Sequence, residues 1–99
     1  MKTYELLLIL APNFDDSSAT RFLKDLESTL SKFNVKFDDV NLKGKQILAY
    51  PIKDKKSSFQ IILKLSAEPS DVSAIKDRMK LVEDLLRFEI YNVQEVLAS

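Results

Sequence analysis

Gly44-Lys45-Gln46-Ile47-Leu48-Ala49-Tyr50-Pro51-Ile52-Lys53 runs directly into Asp54-Lys55-Lys56-Ser57-Ser58-Phe59. This segment holds the only glycine of the chain, an apolar stretch closed by proline, and three lysines within four positions. Proline has no amide donor, so Pro51 belongs on a sheet edge or at a strand end. A glycine within a strand pattern marks a bulge or bend, which is the expectation for Gly44. The turn is expected from Asp54 to Ser57, leading into the apolar run Phe59–Leu65. The whole reads as an exposed hairpin arm carrying positive charge, a shape suited to a polyanion.

The hairpin sits between two further units. On its N-terminal side, Lys2 to Leu10 is a near-continuous apolar strand, as expected of a central position in a sheet. Asp15, Asp16 and Ser17 then supply capping oxygens and negative charge for a helix start. Ala19, Phe22, Leu23, Leu26, Leu30 and Phe33 form one helical stripe, with Asn34 placed to end the helix. A strand from Val35 to Leu42 follows, interrupted at Gly44 and resuming from Gln46 to Ile52. Beyond the hairpin, Pro69-Ser70-Asp71 opens a second helix with Val72, Ile75 and Met79 on one face. A last strand is expected near Leu86–Tyr91, and Gln94–Ser99 reads as a loose tail outside a single domain over residues 1–93.

The order β-α-β-β-α-β is the split βαβ, or ferredoxin-like, arrangement of the α+β class. It predicts a four-stranded antiparallel sheet with both helices on one face and the first and third strands in the middle. Strand alternation then divides the side chains. Leu6, Leu8 and Leu10 should share the helix-covered core with Phe59, Ile61, Leu63, Leu65, Phe88 and Ile90. Thr3, Glu5, Leu7, Ile9, Gln60, Ile62, Lys64, Arg87, Glu89 and Tyr91 should face the other way. Leu7, Ile9 and Ile62 make that open face unusually apolar, which points either to docking or to cover by the tail from Gln94.

Composition narrows the function classes. The 99 residues, 45% hydrophobic and 30% charged, suit one ordinary globular domain. Fifteen basic residues balance fifteen acidic ones, so nucleic-acid binding would have to work through a local patch. There is no cysteine and no histidine, which removes disulfides, thiolate chemistry, the commonest general base and the commonest metal ligands. The run Leu6–Leu10 is too short for a secretory signal or a membrane span. Asp15-Asp16 and Asp38-Asp39 are adjacent pairs whose side chains point apart, and the first reads as a helix cap. One glycine cannot build a phosphate-cradling loop. No catalytic residue, metal ligand or cofactor is expected, and no small-molecule substrate.

Lys53, Lys55 and Lys56 carry two readings: phosphate contacts, or lysines that keep a sheet edge from pairing with another chain. Tyr4 and Tyr50 have the chemistry to stack on bases, but a core or rim position with one wet end is the preferred reading for both. Arg87 either pairs with Glu5 or Glu89 or reaches a partner. The aromatic-rich strand of RNA-recognition motifs is absent from Phe59–Leu65, so base stacking on the sheet itself is not expected.

Tyr4-Glu5, Pro12, Gly44, Leu48-Ala49-Tyr50-Pro51-Ile52, Lys53, Phe59 and Leu86-Arg87, in that order, resemble the small-subunit ribosomal proteins of the S-six type. The resemblance implies the ferredoxin-like fold and a structural, non-enzymatic role on bacterial or plastid ribosomes. It implies binding to the central domain of small-subunit ribosomal RNA together with the eighteenth small-subunit ribosomal protein. On this reading Lys2, Lys45, Lys53, Lys55, Lys56, Lys80 and Arg87 meet RNA, and Leu7, Ile9, Ile62 and Tyr91 form the protein-partner face. The location would be the ribosome, in a bacterial cytoplasm or a plastid stroma.

The chain departs from that pattern at Gln46-Ile47, where the family has basic residues, and at Ser58, often glycine. Basic positions near the end of the second helix are thinned to Lys80. Two other classes use this topology: a small-molecule-sensing regulatory module that dimerises through its sheet, and a small phosphatase. The phosphatase needs an arginine-bearing loop after the first strand, and Ala11-Pro12-Asn13-Phe14 has none.

Overall fold

The computed structural model describes residues 2–93; the expected tail from Gln94 to Ser99, and any cover it would give the sheet, lie outside them. Strands β1 (Lys2–Leu10), β2 (Lys36–Ile52), β3 (Lys55–Ala67) and β4 (Leu85–Asn92) form one antiparallel sheet in the order β2-β3-β1-β4. Helix α1 (Asp16–Thr29) follows β1. Helix α2 (Val72–Met79) follows β3 through a short 3-10 turn at Pro69–Asp71. This is the expected ferredoxin-like arrangement, with the most apolar strands in the centre. None of the described helices is long and apolar enough to cross a membrane.

Leu6 lies opposite Leu63, Leu8 opposite Ile61 and Leu10 opposite Phe59, all fully or almost fully buried. They meet Ala19, Leu23 and Leu26 from α1, Leu30 at its C-cap, and Ile75 and Met79 from α2, so both helices cover one face. Burying each such aliphatic side chain contributes about 1.5–3 kcal/mol, and this layer is the dominant favourable term. Phe88 and Ile90 of β4 are half-buried and pack on the layer's edge. Tyr4 belongs to it as expected.

Helix α1 begins in a reciprocal capping box. The Asp15 carboxylate accepts from the Ser18 amide at 2.8 Å, and the Ser18 hydroxyl accepts from the Asp15 amide at 2.9 Å. The residue just before the cap, Phe14, packs edge-on against Phe22 at 5.8 Å. The helix ends at Thr29, five residues before the Asn34 stop read from the sequence. Past that point the backbone tightens to i−3 bonds, from the Ser31 amide to the Ser28 carbonyl and from the Phe33 amide to the Leu30 carbonyl, and Ser31 Oγ also donates to the Ser28 carbonyl. The Leu30–Phe33 turn still delivers Phe33 to the core margin.

Strand β2 is continuous rather than two pieces, and Gly44 is a bulge within it, at φ 79° with a register shift after Leu42. That backbone region is strained for any residue with a Cβ, which is why glycine stands there. The hairpin turn is two residues, Lys53-Asp54, one position earlier than expected, because Ile52 already pairs with Lys55.

The Asp15 carboxyl is held below its ordinary pKa, chiefly by the hydrogen bond from the Ser18 amide and then by the Ser18 hydroxyl. A lowered folded-state pKa means that the cap stabilises fully above the unfolded value of 3.8 and is lost as pH falls through the depressed folded value. Asp15→Ala should therefore lower the melting temperature at neutral pH. The difference from wild type should shrink in titrations carried below that range.

Candidate nucleic-acid interface

Strand β1 stops at Leu10, which pairs with Phe59, whereas β3 extends back to Lys55. The β2–β3 hairpin therefore overhangs the sheet as an arm. Ladder pairing along the arm breaks between Ile47 and Ile52, whose partners are Ser57 and Lys55. Residues Leu48-Ala49-Tyr50-Pro51 thus stand opposite Lys56 alone. Pro51 is exposed on this edge strand, where its missing amide leaves no ladder bond unmade.

Lys53 and Asp54 take φ 49° and 65°, the left-handed pair that a two-residue hairpin turn demands. Turn chemistry favours Asn-Gly at such positions; here a cation occupies the tip at a conformational cost. Lys45, Lys53, Lys55 and Lys56 are all exposed, and among the described residues no ion pair engages them.

The cations expected to meet RNA do not all gather. Lys53, Lys80 and Arg87, brought by the hairpin tip, the end of α2 and the start of β4, line one cleft of about 240 Å³ with Met79, Leu85, Leu86 and Phe88. Lys55 and Lys56 share the arm, and Lys45 lies at its base opposite Phe59. Lys2 pairs with Ala67 at the other end of the sheet, away from the cluster. Lys80 approaches Asp77 at 3.9 Å and Arg87 approaches Glu89 at 3.2 Å. Exposed pairs of this kind contribute little and leave both cations available to a stronger anion.

Tyr50 corrects the sequence reading. It is not core or rim but 82% exposed, and Ile47 is 91% exposed on the same arm. The signal lay in the neighbouring proline: a residue beside a break in the ladder loses the flanking strand that would have covered it. Ser58 is fully buried, and its hydroxyl accepts from Gln60 Nε2 at 3.2 Å. A small side chain is what that site requires.

The open sheet face reads in rows across the strands. Asn41, Ile62, Leu7 and Glu89 form one row, Asp39, Lys64, Glu5 and Tyr91 the next, and Gln60, Ile9 and Arg87 lie on the other side. Leu7 and Ile62 are half-buried and adjacent. Ile9 faces this side too but is only 8% exposed, so it offers little surface of its own. Along β4, Glu89 links Arg87 to the Tyr91 hydroxyl, which donates to it at 2.5 Å. That bond holds the Tyr91 phenol above its ordinary pKa, so it stays a neutral donor.

The family model for ribosomal protein S6 matches residues 3–92. The chain belongs to the ribosomal protein S6 family. It is 31% identical over 94 residues to the small ribosomal subunit protein bS6c of Phaeodactylum tricornutum, covering 95% of this chain and 96% of that one. It is also 31% identical over 90 residues to small ribosomal subunit protein bS6 of Corynebacterium aurimucosum, covering 91% of this chain and 94% of that one. The crystal structure of 30S ribosomal protein S6 from Thermotoga maritima superposes with a TM-score of 0.83 at 15% identity, covering 98% of this chain and 92% of that one. S6 proteins are structural components of the small ribosomal subunit, not enzymes.

Replacing the tip with the residues the turn prefers, Lys53→Asn with Asp54→Gly, should stabilise the free S6 chain by about 1 kcal/mol, the relief of strain being offset in part by glycine's freedom when unfolded. Chemical denaturation would measure it. An unchanged midpoint would mean that Lys53 makes compensating contacts in the free protein.

Proposed function

We propose that this S6 protein binds the central domain of small-subunit ribosomal RNA through its cationic arm and cleft, and the eighteenth small-subunit ribosomal protein through its open sheet face. It works on the ribosome of a bacterium or a plastid. The observation that carries the RNA assignment is the convergence of Lys53, Lys80 and Arg87, from three separate elements, on one cleft. A chain with zero net charge gains nothing from nonspecific attraction to RNA, so phosphate binding has to come from such local concentration. Lys45, Lys55 and Lys56 extend the same patch along the arm, while Lys2 lies apart and would meet RNA only through a separate contact.

The partner assignment rests on the row pattern of the open face. The apolar pair Leu7 and Ile62 lies between polar rows, with Tyr91 beyond Glu5 and Arg87 beyond Ile9. A small apolar centre with a hydrogen-bonding rim is the anatomy of a protein interface. Arg87 belongs to both the rim and the cleft, so RNA and partner would meet along β4.

Neutralising Lys53, Lys55 and Lys56 to Gln should weaken assembly onto RNA. It should also flatten the salt dependence, by up to ~0.9 log unit of slope for each duplex phosphate the arm no longer neutralises. Filter binding across a salt series measures this; an unchanged slope with intact circular dichroism would reduce the lysines to edge protection.

For the sheet face, Ile62→Lys should leave the melting temperature of the free protein nearly unchanged. In the complex it would bury an unpaired charge and weaken the protein partner on the order of a hundredfold. A large fall in melting temperature would show instead that Ile62 supports the free fold.

A further inference from the structure

We propose that Tyr50 is a stacking platform for an unpaired base of the RNA that the cationic arm engages. The inference rests on the RNA-binding reading above and adds to it the chemical feature recognised. Tyr50 is 82% exposed, an aromatic ring committed to water in a strand whose apolar residues would normally find cover. Its exposure follows from the ladder break between Ile47 and Ile52, which takes residues 48–51 out of regular pairing. Pro51 beside it lacks the amide that would help restore the ladder.

Charge around the ring decides which ligand suits it. Lys53, Lys55 and Lys56 lie within six positions of Tyr50, all exposed, and Asp54 is the one acid of the turn. An exposed aromatic ring on an arm that carries several cations matches a nucleotide, whose base would lie on the ring while its phosphate meets an ammonium group. A base inside a duplex has both faces covered by its neighbours, so the ligand is an unpaired or bulged nucleotide. A protein docking here would have to supply an acidic surface to match the lysines, whereas RNA supplies phosphates at every residue. The other two tyrosines lack this setting: Tyr4 is buried, and the Tyr91 hydroxyl is tied to Glu89.

The test uses small subunits reconstituted from ribosomal RNA and the complete set of small-subunit proteins, with this chain as the S6 component. Ultraviolet cross-linking followed by peptide mass spectrometry should place a nucleotide adduct on Tyr50 itself. In parallel, Tyr50→Ala should incorporate about five- to a hundredfold more weakly than wild type, and Tyr50→Phe should restore it. The adduct is read on the unsubstituted chain, so a folding defect in a variant cannot hide the answer. Absence of the adduct, unchanged incorporation of Tyr50→Ala, or a cross-link from Tyr50 to a protein component each overturns the proposal. The lysine-neutralised arm separates the two levels. If it weakens incorporation while Tyr50→Ala does not, stacking fails and the phosphate reading stands; if neither change matters, both fail.

Discussion

Leu6 against Leu63, Leu8 against Ile61 and Leu10 against Phe59 form the central pairing of β1 and β3, and every other feature is referred to it. A strand's side chains alternate with period two, so a slip of either strand by one residue would turn its own three out of the core. The same register that buries them presents Leu7 beside Ile62 and Glu5 beside Lys64 on the opposite side. The open face is thus a consequence of the core, not a separately built surface. It also fixes where β1 ends, and therefore how far the hairpin stands out beyond it.

The arm departs from regular sheet geometry step by step. Strand β2 shifts register after Phe37, after Leu42 and after Ile47, and each shift adds twist and denies a straight edge to another chain. At the first shift Asp38 leaves the ladder and accepts from the Ser66 hydroxyl at 2.5 Å. At the second, Gly44 takes a backbone conformation that a Cβ would oppose. At the last, Tyr50 and Pro51 are left without a cross-strand partner. Edge protection and the proposed RNA contact would draw on the same irregularities, so the lysines of the arm can serve both.

Neutral net charge is compatible with RNA binding because cations still gather locally. Asp15, Asp16, Asp38 and Asp39 lie at the start of α1 and in early β2, whereas Asp54 shares the hairpin tip with Lys53 and Asp77 approaches Lys80; on the open face Glu89 holds both Arg87 and the Tyr91 hydroxyl. The arm and the cleft collect cations. Arg87 stands where these regions meet, paired to an acid on one side and lining the cleft on the other. An RNA phosphate entering the cleft would compete with Glu89 for that guanidinium and so bear on how Tyr91 is held.

The strands, the helices and their order were legible in the residues because period-two and helical spacings reflect burial on one face, which is a local property of the chain. Gly44 announced its bulge for the same reason, as the one residue without a Cβ, and so did Asp15 its cap, through a carboxylate beside free amides. The lysine arm was legible as charge density near a turn. Local pattern did not reveal that α1 stops at Thr29, because the i−3 turn that follows carries Leu30 and Phe33 to the core just as a further helical turn would. It also misplaced Tyr50, since a tyrosine in a strand carries the same signature whether or not a neighbouring strand covers it. Lys53 lies 27 residues before Lys80 and 34 before Arg87, and nothing in that spacing joins it to them. Only the docking of α2 and β4 beside an overhanging hairpin brings them to one cleft, because proximity between distant residues is set by the packing of whole elements.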